Sequence, residues 1–304
     1  MSVADLIPRT ARPRVKSYLI AAWISVIVAL FSTVIVITFF GAALNLHVAS
    51  AGFWSVVAIG ACLSFGAEWV DSSLGMGYGT TLTPLLLLLG FSPLQVVPAV
   101  LLQELVSGTI ASLSHHGLGN VDLRPGRPAL KLALVLGGCA LVGSFVAARV
   151  AFSLPPVTVR LVTGIIVMAM GVLAFAATRI KLRFSWWRIG GLGMVAAANK
   201  GFMGGGYGPL VTTGQLVVGG GVRQAVAVTS LSEALTCVGG LASYLVLGTE
   251  VYWPLAIGML AGGTVAAVLS AATVRAVDPA KLRGLVAGCC LLLGVLTLAR
   301  ALMT

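Results

Sequence analysis

The sequence predicts an all-α integral membrane protein: a polytopic helical bundle of two inverted pseudo-repeats, each with a glycine-broken re-entrant helical hairpin, plus one extra C-terminal helix. Three observations carry this expectation. First, 59% of the residues are hydrophobic and 9% charged, with mean hydropathy +1.06, against about 25% charged in a soluble domain. Second, apolar runs recur along the chain, each near the ~20 residues that a spanning helix needs. Third, two stretches match at a fixed offset of 204 − 75 = 129: Gly75, Gly77, Tyr78 and Gly79 return as Gly204, Gly206, Tyr207 and Gly208. The same offset lays Thr83 on Thr212, Gly90 on Gly219, Gln95 on Gln224, Glu104 on Glu233 and Asp71 on Lys200.

Residues 1–17 form a basic N-terminus with Arg9, Arg12, Arg14 and Lys16. The apolar run 18–44 exceeds the about 7–15 residues of a cleaved signal, so it reads as a retained helix that opens the first repeat, 18–151. Run 54–90 is too long for one crossing and is interrupted from Asp71 to Gly79. Glycine is a poor helix former that readily takes positive φ, so this run reads as a hairpin of two shorter helices. Runs 94–117 and 129–151 complete the first repeat, and run 157–178 opens the second, 157–275. Its hairpin, 189–219, breaks between Asn199 and Gly208; runs 223–247 and 253–275 follow, and 283–303 is the unrepeated addition.

The net charge is +11, but the basic residues sit mostly between apolar runs. That is the positive-inside pattern of cytoplasmic loops, and it excludes nucleic acid as the partner. Placing loops 118–128, 179–188 and 276–282 inside, and loops 45–53 and 248–252 outside, makes the two hairpins enter from opposite faces. The N-terminus is then cytoplasmic and the membrane the inner one. Arg149 and Arg160 flank a loop placed outside and run against the bias; a parallel repeat is the alternative. The five cysteines lie in apolar runs without a C-x-x-C pair, so they read as packing residues and no metal or cofactor is expected. Neither H-E-x-x-H nor G-x-S-x-G occurs, which speaks against an enzyme. Without a phosphate-binding loop, energy must come from ion gradients.

Chemistry concentrates at the breaks. Gly75, Gly77, Tyr78, Gly79 and Thr80 in one, and Lys200, Gly204, Gly205, Gly206, Tyr207 and Gly208 in the other, surround two helix starts. Their free N–H groups and positive dipole ends attract anions. The competing role is close helix packing, which is assigned to Gly137, Gly138, Gly143, Gly262 and Gly263. Pro209 suits the first helical position of the second start. Carboxyls at membrane depth cost about 2.5–3.5 kcal/mol each on insertion scales, and there are four: Glu68, Asp71, Glu104 and Glu233. Around Glu104 run Gln103, Ser107, Gly108, Ala111 and His115; around Glu233 run Ser232, Thr236, Cys237, Gly240 and Tyr244. These stripes belong on an interior face. A desolvated carboxyl can carry a proton through a cycle; alternatively each glutamate pins a freed N–H of the opposite break. Asp71 and Lys200 could pair across the repeat, Lys200 could draw in the anion while Asp71 caps its break, or both could reach solvent. His115 and His116 read as interfacial histidines or as a proton relay. Trp186, Trp187 and Trp253 fit an aromatic belt.

With Gly66, Ala67, Gly75-Met76-Gly77-Tyr78-Gly79 and Ser92-Pro93, echoed by Gly201-Phe202-Met203-Gly204-Gly205-Gly206-Tyr207-Gly208-Pro209 and Ala225-Val226-Ala227-Val228-Thr229-Ser230, the chain resembles the TauE/SafE family. The resemblance spans the chain from about residue 54 onward. It implies a secondary transporter for sulfur-containing anions such as sulfite, sulfoacetate or related sulfonates, coupled to protons. Lys200 and Asp71 depart from the family's motif. An anion channel and a non-transporting accessory subunit are the alternatives, and the chain could act alone or as a homo-oligomer.

Overall fold

The computed structural model describes residues 52–176, 185–217, 220–273 and, near the C-terminus, 288, 291–292, 294–299 and 302. The expected helix 18–44 lies outside the described residues. Among the described residues the chain is helical and no strand occurs. Helix α1 spans Phe53–Leu74, α2 Tyr78–Leu88, α3 Pro93–Gly117, α4 Pro128–Ser153 and α5 Pro156–Ala176. Helix α6 spans Trp186–Met203, α7 Tyr207–Val217, α8 Val222–Val246 and α9 Trp253–Thr273. The described residues of 283–303 are helical as well.

Five of these helices are long and apolar enough to cross a membrane: α1, α3, α4, α8 and α9. Both over-long apolar runs divide at their glycines. Helix α1 ends where Gly75 takes a left-handed conformation, φ 70° and ψ 27°, and its N–H returns to Asp71 O at 2.5 Å. Helix α6 ends the same way at Gly204, φ 75° and ψ 1°, with its N–H on Lys200 O at 2.8 Å. An L-residue resists this conformation and glycine does not, which makes it the usual helix terminator. Pro209 is the third residue of α7 rather than the first, still within the turn whose N–H groups have no intrahelical acceptor. Helix α3 begins with a capping box: Gln95 N donates to Ser92 Oγ at 3.3 Å and Ser92 N to Gln95 Oε1 at 2.9 Å. At the equivalent start of α8, Gly221 caps without a side chain.

The packing is reciprocal under the repeat offset. Helix α1 packs on α9, and its counterpart α6 packs on α4. Helix α4 packs on α8 as α9 packs on α3, and α3 and α8 pack on each other at the centre. Small residues set these distances. A Cβ on Gly262 would strike Ala61 of α1, and one on Gly143 would press Ala197 of α6. Gly138 differs from its expected packing role: nothing lies within 4 Å of where its Cβ would be. The lipid-facing sides of α4 and α9 carry exposed Leu134, Val142, Val146, Val265 and Val268. Trp186, Trp187 and Trp253 are exposed at helix starts, as a membrane-interface belt requires.

The two breaks meet. A Cβ at Gly79 would collide with the backbone of Gly204 and Gly205, and one at Gly208 with that of Gly75 and Met76. Each contact is the image of the other under the repeat. Gly205→Ala, where only sterics are at stake, is expected to destabilise the protein by about 1–3 kcal/mol. Gly138→Ala is expected to change little or to stabilise slightly. Thermal melts in detergent check the pair, and equal melts would remove the crossing as a packing constraint.

Candidate functional site

The crossing places two helix N-termini, those of α2 and α7, at one point in the interior. The residues around both are buried. In the first break Asp71 Oδ1 accepts the Tyr78 N–H at 3.0 Å. Asp71 therefore caps α2 and does not pair with Lys200. Thr80 Oγ1 and Thr81 Oγ1 both donate to Gly77 O, so Thr80 closes its own turn. In the second break the Lys200 ammonium has no lone pair to accept a hydrogen bond, so the equivalent cap is missing. Instead Thr212 Oγ1 donates to Gly75 O at 2.6 Å, bonding one break to the helix that follows the other. Thr212 and Gln215 both hydrogen-bond Thr229 on α8, at 2.9 and 3.0 Å. Thr83, the repeat equivalent of Thr212, has its hydroxyl buried without a hydrogen-bond partner.

Lys200 is fully buried at the end of α6. Its ammonium forms an ion pair with Glu104 of α3 and a second with Glu233 Oε1 of α8 at 2.8 Å. This corrects three expectations. Lys200 does not reach solvent, its partner is not Asp71, and the glutamates hold the lysine rather than the N–H groups of the breaks. Burial supplies the reason, because an ammonium taken out of water must meet opposite charge nearby. Glu104 and Glu233 sit near the middle of their 25-residue helices, which cross at the centre, so both carboxylates reach the same point.

Glu68 forms a separate node. Its carboxylate accepts from Ser72 Oγ, from Gln103 Nε2 at 3.0 Å and from Ser107 Oγ at 2.9 Å. Gln103 and Ser107 thus support a carboxylate directly. Ser232 and Thr236 donate instead to carbonyls of their own helix, Thr229 O and Ser232 O, and face the hydroxyl of Tyr207. Both polar stripes lie on interior faces: Gln103, Glu104, Ser107, Ala111 and His115, and Ser232, Glu233, Thr236, Cys237 and Tyr244, are all buried. His115 departs from the interfacial expectation. It is inaccessible, with Nε2 on Ser72 O at 3.0 Å and Nδ1 receiving Asn120 Nδ2 at 3.0 Å. His116 contacts Val121 O at 3.2 Å and receives the Leu123 N–H.

The two break tyrosines differ: the Tyr207 hydroxyl is buried without a hydrogen-bond partner, and that of Tyr78 is bonded. Tyr78 OH meets Ser64 Oγ at 2.9 Å, and Ser64 donates to Met259 O of α9 at 2.8 Å. Ser64 and Ser72 were not singled out from the sequence. Their signal was present, since Ser64, Glu68 and Ser72 recur every four residues and so share one face of α1. Among the described residues no cluster of His, Cys, Asp or Glu could hold a metal. Cys62, Cys139 and Cys237 are free thiols; Cys289 and Cys290 lie outside the described residues.

Asp71→Ala removes the acceptor for the Tyr78 N–H and is expected to lower stability by about 1–3 kcal/mol. Asp71→Asn keeps an acceptor oxygen and is expected to recover most of that loss. Chemical denaturation in detergent compares them.

The sequence pattern described as Sulfite exporter TauE/SafE matches residues 59–297. Over 245 residues the chain is 30% identical to the Probable membrane transporter protein YtnM of Bacillus subtilis (strain 168), covering 76% of this chain and 79% of that relative. No solved structure matches.

Proposed function

This chain belongs to the sulfite exporter TauE/SafE family of membrane transporters, and on that premise we propose that it moves a small sulfur-containing or organic anion across the inner membrane, with sulfite, sulfoacetate and related sulfonates as the substrate class. The observation that carries this reading is the crossing of the two breaks, which aims the N-termini of α2 and α7 at one buried point. Amides and dipoles at helix starts attract anions without a cluster of arginines. The unpartnered Thr83 hydroxyl adds a donor on α2. In this arrangement the breaks are closed on each other. Sliding of one half against the other would open the point to one side and then to the other, which is alternating access around a fixed site. The moving units would be the halves 18–151 and 157–275, in inverted topology, with the N-terminus cytoplasmic and 283–303 as an addition.

Charge accounts for protons travelling too. Glu104 and Glu233 are buried against one ammonium, and Glu68 and Asp71 are buried on α1 in the same interior. An arriving anion adds to an excess of negative charge in a medium that screens it poorly. A proton taken up by Glu104 or Glu233 offsets that charge, so substrate and proton would be coupled.

Liposome flux tests the reading. Purified protein is expected to accumulate at least one of sulfite, sulfoacetate, a sulfonate or a carboxylate against its gradient when a pH difference is imposed. Glu104→Gln and Glu233→Gln are expected to keep exchange while losing more than about ten-fold of the pH-driven component. Downhill flux alone would make the protein a channel, and no flux of any of these anions would make it an accessory subunit. Unaltered pH dependence in both variants would remove the proton role.

The inverted arrangement has its own check. Single cysteines placed in loops 118–128 and 248–252 are expected to react with impermeant thiol reagents from opposite sides. Labelling from one side would mean parallel repeats.

A further inference from the structure

The duplication accounts for Glu104 and Glu233 but not for what lies between them. The two glutamates are images of each other, on helices that cross at the centre. Lys200 has Asp71 as its image, and Asp71 is occupied with the Tyr78 N–H. One half therefore contributes a cation to a site whose two anions come from both halves. The lysine stem reaches it beside Gly201, whose Cβ would strike the Ser144 backbone of α4, and Gly240, whose Cβ would meet Leu101 and Gly201. The groups facing the ammonium are Glu104 of α3, Glu233 and Cys237 of α8 and Asp71 of α1, with Glu68 of α1 and Tyr207 of α7 within reach of Glu233.

We propose that Lys200 is a tethered coupling cation, standing between two buried carboxylates where a diffusible alkali cation would otherwise bind, so that the transport cycle uses protons and not sodium. This rests on the transport reading and adds the identity of the coupling ion. Two carboxylates and one ammonium carry one net negative charge. One proton, shared between equivalent glutamates, makes the trio neutral, and its departure restores the charge. A diffusible alkali cation would have to compete with the ammonium, which already engages both carboxylates. Without Lys200 the trio would carry two like charges in contact, and protons or sodium would have to replace the ammonium.

Full-length protein in detergent micelles gives a test that needs no transport. Wild-type melting is expected to be the same in sodium chloride and in choline chloride at equal ionic strength. Lys200→Met keeps the stem and removes the charge. Its melting temperature is expected to fall as pH rises from about 5 to 9, because the glutamates then ionise side by side, and sodium is expected to raise it. Combining Lys200→Met with Glu104→Gln or Glu233→Gln is expected to flatten the pH profile, which a purely steric effect of the methionine would not produce. Sodium-dependent melting of the wild type, or a Lys200→Met profile like the wild type's, overturns the assignment. If Lys200→Met does not fold, the wild-type sodium comparison and the double variants decide. In liposomes, exchange of sulfite, sulfoacetate, a sulfonate and a carboxylate without any gradient reads transport by itself: absence of exchange for all of them in the wild type counts against the transport reading, and the micelle profiles still decide the role of Lys200. With exchange of one of them present, its pH-driven uptake is expected to be sodium-independent in the wild type and more than about ten-fold lower in Lys200→Met.

Discussion

A buried ammonium must have an anion at hand, and this requirement organises the centre of the molecule. Lys200 comes from α6, and its partners come from α3 and α8. Removing the ammonium from such a trio leaves two buried carboxylates uncompensated, at a cost of about 3–5 kcal/mol. The three helices must therefore come together at one level, and the neighbouring residues are small enough to let them. Gly201 lies on the Ser144 backbone, Gly240 faces Gly201, and Ser144 donates to Thr236 O at 2.7 Å. The ion trio thereby ties α6 to α3 and α8, near the point where the breaks cross.

The crossing of the breaks has a second physical origin. A helix interrupted inside a membrane leaves backbone groups that lipid cannot satisfy. Here they are covered by the other break and by neighbouring side chains. Asp71 accepts the Tyr78 N–H, Thr212 donates to the Gly75 carbonyl, and the glycine N–H groups return to Asp71 O and Lys200 O. The backbones approach closely because Gly79, Gly205 and Gly208 have no side chain to separate them. An arrangement held by a few hydrogen bonds and bare backbone can part and re-form more readily than one locked by interdigitated side chains. That property suits the alternating access we propose.

Much of this was legible in the sequence. Hydropathy placed the observed helices within a few residues, because spanning length and composition are strongly constrained. The breaks were legible because an apolar run too long for one crossing has to end a helix somewhere, and clustered glycines mark where that costs least. The burial of Gln103, Glu104 and Ser107 followed from helical spacing. The partner of Lys200 was not legible, since the offset joins Lys200 to Asp71 and says nothing about how α6 is turned toward α3 and α8. The cap formed by Asp71 was legible as one alternative, and it falls on the N–H seven residues along its own chain. The partner of His115, Ser72, lies on another helix, a contact between segments that no local pattern reveals. The polar face Ser64, Glu68 and Ser72 was readable from its spacing, but its serines were masked by a helix that is otherwise apolar.

Solid-state NMR in lipid bilayers measures the central interaction directly. With lysine Nζ labelled with 15N and glutamate Cδ with 13C, the trio predicts one lysine nitrogen coupled to two carboxyl carbons, each within about 4 Å. Glu104→Gln and Glu233→Gln should each abolish one coupling and leave the other. A lysine nitrogen coupled to neither carboxyl, or couplings that survive unchanged in both variants, would contradict the account.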